Sequence, residues 1–306
     1  MTSNTSINGP LLSIVIGTYN RCDQIRRAIE SIVATTSIGY CLYVTDAGST
    51  DGTIAYLESV RSDTIVPILV GKRLGQAAAY NQVFEQVTTP YVCWLSDDNE
   101  VVGDGLGKAV RILTQDSRVG MVGLKVRDVQ GPFCSAPYIG GLSKFGILNV
   151  NQGVLPTKVL REVGYFSEAF RDYGIDPDLT AKVLLAGYDI VFTRDVAIHH
   201  FRNWETDPSS PDYAKMQDRQ RAYLALYDKT YAAHFPNGAR QIVRRGVWKA
   251  IRALTGLSLD SHAKVLGLNA RDWQNGIIGR HIDLIHELRN QHADYHLRQH
   301  APLRKR

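Results

Sequence analysis

No apolar run in the 306-residue chain approaches the roughly 20 residues that cross a bilayer; Leu11 to Ile16 and Tyr91 to Leu95 are among the longest. The first residues, Met-Thr-Ser-Asn-Thr-Ser, lack the basic and apolar stretches of a secretory signal. Both absences set the expectation of a soluble cytoplasmic protein. Cysteine is scarce: Cys22, Cys41, Cys93 and Cys134 are widely spaced and form no CxxC pair, which argues against a disulfide framework or a structural zinc site. Internal repeats and low-complexity linkers are missing. Histidine is nearly absent from the first 230 residues, where His199 and His200 stand alone as an adjacent pair; the other seven lie in residues 231–306.

What is present is a hydrophobic content of 44%, enough for a sizeable core in one or two domains. The net charge of +5 hides two electrostatic halves. Residues 231–306 carry 13 Lys and Arg against 5 Asp and Glu, whereas the first 230 carry 22 against 25. The expected division is a domain over residues 10–210 followed by a helical, basic extension over 211–306.

Along the first part, continuous apolar strands alternate with segments of helical period, the pattern of an α/β protein with a mostly parallel sheet flanked by helices. Strands are expected at Leu11–Gly17, Tyr40–Thr45, Ile65–Val70, Tyr91–Leu95, Gly120–Val126 and Asp189–Thr193. Helices are expected after Arg21, after Asp51 or Thr53 as cap, around Ala77–Val87, over Thr157–Val163 with Thr157 as cap, and over Gly174–Gly187. From about residue 212 the pattern is helical. In such sheets ligands bind outside the carboxyl ends of the strands, so the clusters Thr18–Arg21, Asp46–Asp51 and Asp97–Asn99 are expected to converge.

Asp97 and Asp98, directly after a strand, offer hard oxygen ligands of the kind that hold Mg²⁺ or Mn²⁺ together with substrate phosphates. Asp46 and Asp51 end a neighbouring strand, His199 or His200 is available as an imidazole ligand, and Asp176 and Asp178 open a helix, where one of them can serve as a cap.

Five segments in succession, Ser13-Ile-Val-Ile-Gly-Thr-Tyr-Asn-Arg21, Asp46-Ala-Gly-Ser-Thr-Asp-Gly-Thr53, Leu74-Gly-Gln-Ala-Ala-Ala-Tyr-Asn81, Trp94-Leu-Ser-Asp-Asp-Asn-Glu100 and Gly174-Ile-Asp-Pro-Asp-Leu179, resemble the motifs of family 2 glycosyltransferases in order and spacing, over about residues 10–205. The resemblance implies the GT-A fold, a nucleotide-diphosphate sugar donor of UDP, GDP or dTDP type, a divalent cation (Mn²⁺ or Mg²⁺), and transfer to an acceptor hydroxyl with inversion. It implies nucleotide contacts for Thr18, Tyr19, Asn20, Arg21, Asp46, Lys72, Gln76, Asn81 and Asp97. It implies metal ligation by Asp98 with His199 or His200, and Asp176 as general base. Three positions depart from the usual pattern: Ala47 replaces a second carboxylate, Ser96 stands where a DxD motif begins, and Ile175 replaces an acidic residue before the base.

The acceptor implied is a glycan or lipid-linked glycan of surface polysaccharide or glycolipid biosynthesis, with Phe133, Tyr138, Asn151, Gln152 and Trp204 in the region where an acceptor pocket is shaped. A basic amphipathic helix is expected over residues 238–254, suited either to packing on the catalytic domain or to lying on an anionic membrane surface from the cytoplasmic side. His292, His296 and His300 share a helical face. Nucleic acid is not an expected partner, since no recognised module is present. A nucleotidyltransferase and a non-catalytic nucleotide-sugar or glycan-binding relative are the alternative functions.

Overall fold

The computed structural model describes residues 9–131, 134, 137, 138, 140, 141, 143, 145–202, 205, 207–234 and 295–301. The Leu11–Ile16 run forms β1 (Leu12–Thr18), whose residues are buried on both sides, which is why it reads as uninterrupted hydrophobicity rather than alternation. Leu12, Ile14 and Ile16 pack beneath α1 (Cys22–Thr35), while Val15 packs on the opposite face among residues of α3 (Gln76–Phe84). Strands β2 (Tyr40–Asp46), β3 (Ile65–Leu69) and β4 (Tyr91–Ser96) follow, with α2 (Thr53–Ser59) between the first two. Then come β5 (Asn99–Val101), α4 (Gly105–Gln115), β6 (Val119–Asp128), β7 (Gly153–Pro156) and α5 (Thr157–Glu162). A 3-10 turn (Glu168–Phe170), α6 (Ile175–Leu185), β8 (Asp189–His200), α7 (Pro211–Tyr231) and β9 (Tyr295–Gln299) complete the described elements.

The sheet order is β3-β2-β1-β4-β7-β6-β8-β5, with β9 paired to β8. The half β3-β2-β1-β4 is parallel; beyond it the sheet is mixed, because β7 runs antiparallel between β4 and β6, and β5 and β9 run antiparallel to β8. The register sets Thr18 beside Asp46 and Gly17 beside Ser96, so the loops after β1, β2 and β4 emerge side by side.

Several expectations are corrected. Thr157 does not cap α5; Pro156 holds the cap position, and the Thr157 hydroxyl donates to the Thr89 carbonyl at 2.6 Å, tying helix to strand entry. The last predicted strand is longer, running to His200, because β6 and β5 offer it partners on both sides. The tail is not wholly helical: residues 295–299 are a strand, held by Arg298, whose guanidinium is buried between Asp189 (3.0 Å) and Asp116 (2.6 Å). His300 therefore sits at the end of a strand with Nδ1 3.1 Å from Asp189, not on a helical face. His292, the side chain of His296, the 238–254 segment and Arg304–Arg306 lie outside the described residues.

Helix α7 joins the core under α6. Tyr227 and Tyr231 are buried in the same cluster as Leu179 and Val183, and the Tyr231 hydroxyl donates to Asp178 Oδ1 at 2.7 Å. Asp178 is 1% exposed and also meets Lys182 Nζ at 3.1 Å, so its role is to anchor α7 rather than to cap α6. Tyr231→Phe deletes a hydrogen bond to a buried charge, and urea denaturation is expected to show a loss of about 1.5–3 kcal/mol. No described helix is long and apolar enough to cross a membrane.

Candidate functional site

A cavity of about 890 Å³ opens at the carboxyl ends of β1, β2 and β4. Its floor is Thr18, Asp46, Ser96, Asp97 and Asp98; Lys72, Arg73 and Gln76 line one side, and Tyr173, Arg219 and Tyr223 line the side towards α7. Strand ends bring the carboxylates together, and loop chemistry holds them there. Asn99 accepts from the Ser96 backbone N–H (2.9 Å), closing the turn that carries Asp97 and Asp98. Asp97 is 7% exposed; Thr18 donates its hydroxyl to one carboxylate oxygen (3.0 Å) and Arg21 its guanidinium to the other (2.9 Å). Burial outweighs the Arg21 charge, so the Asp97 carboxyl is pushed up to about 6.

Asp98 behaves oppositely. Burial raises its pKa, but His200 and Arg21 together overcome that and hold the carboxyl below the ordinary carboxylate range. His200 Nε2 lies 3.4 Å from Asp98 Oδ1, and Arg21 Nη1 lies 3.6 Å from Oδ2. Burial disfavours the imidazolium, but Asp128 and Asp98 more than compensate, and His200 is raised to about 9. Strand parity separates the two adjacent histidines: successive side chains on β8 point to opposite faces, and His200 is the one that meets Asp98. Of the pair, His200 is the one placed beside Asp98.

The donor set fits a hard divalent cation in part. One carboxylate from the turn between β4 and β5 and one imidazole from the end of β8 converge, and among the described residues no group of three ligating side chains is preassembled. A cation held by two protein ligands takes its remaining coordination from phosphate and water, the usual arrangement for Mg²⁺ at a phosphate substrate.

Other motif residues divide between cavity and scaffold. Tyr19 lines the cavity with the Arg73 guanidinium 3.8 Å from its ring centroid, a cation–π pair at the rim. Gln76 lines it too, its amide donating to the Tyr80 hydroxyl at 3.0 Å; that hydroxyl donates to the Leu95 carbonyl (2.6 Å). Asp46 lines the cavity, yet Oδ1 accepts from the backbone N–H groups of Gly48 and Ser49 (both 2.9 Å), so it also builds its own turn. Gly48 is required there, with φ of 91° and space closed by the Gly71 carbonyl, 2.9 Å from where a Cβ would stand. Asp51 Oδ1 accepts from Thr53 N–H (3.1 Å) at the start of α2.

Asn20 and Asn81 are placed in the scaffold. Asn20 reaches across to the Thr50 N–H (2.7 Å), stitching two loops together, and does not line the cavity. Asn81 is buried, and its amide pairs with both the N–H and the carbonyl of Phe166. Of the acceptor-side residues, Tyr138 bonds to Asp128 (2.8 Å), Asn151 accepts from the Trp94 indole through its backbone carbonyl (2.9 Å), and Gln152 is buried; none lines the cavity. Phe133 and Trp204 lie outside the described residues.

Asp176 is half-buried in the first turn of α6, and burial pushes its carboxyl up to about 7 despite the Arg202 charge. It stands behind the wall of the cavity, close enough to Tyr223 to disfavour that residue's phenolate. A second cavity of about 530 Å³, lined by Gln24, Phe201, Arg202, Glu205 and Met216 among others, shares Arg21, Asp98, Tyr173 and Arg219 with the first. Sequence reasoning missed Asp128, Tyr173, Arg202, Arg219 and Tyr223. Tyr223 and Arg219 belong to a helix whose arrival at the site depends on the distant Tyr231–Asp178 contact, for which no local motif exists.

The family model described as glycosyl transferase family 2 matches residues 13–174. An uncharacterized glycosyltransferase of Nostoc sp. is 30% identical over 114 residues, 36% of this chain and 35% of that protein. TuaG of Bacillus subtilis, named as a teichuronic acid biosynthesis glycosyltransferase, is 26% identical over 110 residues, 35% of this chain and 44% of its own length. The chain thus matches less than half the length of these relatives. Among solved structures, Staphylococcus aureus TarS 1-349 in complex with UDP-GlcNAc aligns with a TM-score of 0.53 at 17% identity, covering 69% of this chain and 65% of that one. The mannosyltransferase PcManGT from Pyrobaculum calidifontis, in complex with GDP-Man and Mn²⁺, aligns with a TM-score of 0.50 at 19% identity, covering 82% of both. These likenesses establish the fold as that of the GT-A glycosyltransferases.

Proposed function

Because the chain belongs to the family 2 glycosyltransferases, we propose that its larger cavity takes a nucleotide-diphosphate sugar and that the sugar is transferred to an acceptor hydroxyl with inversion. The observation that carries the reading is one cavity that holds both the Asp97–Asp98 turn and the Arg21, Lys72 and Arg73 cations; the α6 carboxyl of Asp176, raised to about 7, does not line it but is close to Tyr223 in its wall. The loop at Asp46–Ser49 and the Tyr19 ring accommodate the nucleoside; Lys72 and Arg73 face the diphosphate. Asp98 and His200 would hold Mn²⁺ or Mg²⁺, the cation taking the place of the Nε2 proton that Asp98 otherwise favours. When bound, such a cation neutralises charge on the departing nucleoside diphosphate.

The second cavity admits the acceptor, because it meets the donor cavity at the shared wall of Arg21, Asp98, Tyr173 and Arg219. Asp176, which feels the charge of Arg202 in the second cavity and acts electrostatically on Tyr223 in the first, takes the proton from the attacking hydroxyl. The names of TuaG and the nucleotide sugars bound in TarS and PcManGT support an acceptor in surface polysaccharide synthesis and a UDP- or GDP-linked donor. Screening UDP- and GDP-sugars for donor consumption with glycan or lipid-linked acceptors tests the proposal, and turnover of none of them contradicts it.

The pH dependence follows from Asp176. A base works as carboxylate, and one with a pKa near 7 is protonated below that pH. The expected kcat/KM therefore rises about tenfold per pH unit up to about 7 and levels above it. A flat profile between pH 5 and 7 removes Asp176 from the role of base.

A further inference from the structure

The imidazole of His200 is held from behind by two groups that no sequence motif contains. We infer that Asp128, assisted by Tyr138, is a positioning residue for the metal site, fixing the His200 ring so that Nε2 presents its lone pair beside Asp98. The inference rests on the metal assignment proposed above.

Asp128 ends β6 directly beside His200 in the parallel register with β8, so the sheet itself sets the two side chains together. His200 Nδ1 lies 3.0 Å from Asp128 Oδ1, and Asp128 is 1% exposed. Tyr138, brought in by an isolated bridge to Val126, donates its hydroxyl to the same carboxylate oxygen at 2.8 Å and stands 3.1 Å from Nδ1. The carboxylate oxygen Oδ1 serves as acceptor for both neighbours, so Nδ1 is the nitrogen that carries hydrogen. In the neutral ring the lone pair then lies on Nε2, and Nε2 is the atom 3.4 Å from Asp98 Oδ1.

Asp128 does not line the donor cavity; it acts through His200. Carboxylates that orient a ligating histidine in this manner typically govern metal affinity by about 10–100-fold. The arrangement also gives Tyr138 a place: its hydroxyl faces the support of the site.

The test titrates MnCl₂ into the full chain at a fixed concentration of UDP or GDP. Binding is read by the rise in melting temperature and by water-proton relaxation enhancement, neither of which needs turnover. Asp128→Asn is expected to raise the half-saturating Mn²⁺ concentration about 10–100-fold, with nucleotide affinity in the absence of metal unchanged. Tyr138→Phe shifts it in the same direction by less. In a His200→Ala background Asp128→Asn adds nothing further, because its effect runs through the ring. Unchanged Mn²⁺ saturation in Asp128→Asn overturns the inference, as does an equal loss in the His200→Ala background. Should Asp128→Asn fail to fold, Tyr138→Phe decides: unchanged saturation there overturns it. A wild-type protein that binds nucleotide with no response to Mn²⁺ contradicts the metal assignment itself, a different outcome from both.

Discussion

Replacing Asp176 with Asn lowers sugar transfer by about 10²–10⁴-fold, the range a positioned general base contributes, while leaving nucleotide binding intact. The substitution keeps the shape of the side chain and removes only its ability to accept the acceptor proton. Its structural cost is small: Asp176 is half-buried, whereas Asp178, two residues on, is the carboxylate that holds α7. Asp178→Asn supplies the contrast, since it weakens the α7 anchor and lowers the melting temperature. Separating the two variants by melting temperature and by transfer rate distinguishes chemistry from scaffold. Transfer by Asp176→Asn at the wild-type rate assigns the base elsewhere.

Asp98→Ala is expected to abolish the Mn²⁺ dependence of donor binding and with it nearly all transfer. Asp98 is the carboxylate whose pKa is held low and which faces His200, whereas Asp97 is committed to Thr18 and Arg21. Two protein ligands are a small set, so losing one removes half of what the chain contributes. The alanine also leaves Arg21 nearer to the vacated position, where a guanidinium disfavours a cation. Asp97→Asn, by contrast, is expected to weaken nucleotide binding with and without metal alike, and isothermal titration of each variant with UDP or GDP reads the difference.

The catalytic half of the fold was legible because its strands are buried on both faces and read as unbroken apolar runs, each followed by a polar turn. That pattern gave β1 to β4 and the convergence of Thr18, Arg21, Asp97 and Asp98. Helix α4 and the four-residue β7 went unread; β7 is an antiparallel insertion defined by its partners rather than by its own sequence.

A polar residue inside a motif does not declare from its type whether it meets a ligand or the scaffold. Asn20 and Asn81 have the residue type for either role, and only the Thr50 and Phe166 backbone groups opposite them show which one they fill. His199 and His200 were indistinguishable until strand parity was known, and that parity required β8 to extend seven residues beyond its predicted end. Asp128 carried no signal at all, since its significance lies in its register partner 72 positions away. The nucleotidyltransferase alternative is set aside by the family match, which covers residues 13–174.

The most direct test of the account is a melting-temperature measurement of the wild-type chain with UDP, GDP and dTDP, each with and without Mn²⁺, with Asp98→Ala as control. The account predicts that at least one nucleoside diphosphate stabilises the protein, that Mn²⁺ enlarges the shift, and that Asp98→Ala loses the Mn²⁺-dependent part. No shift with any of the three, or an Mn²⁺ response that survives in Asp98→Ala, contradicts it.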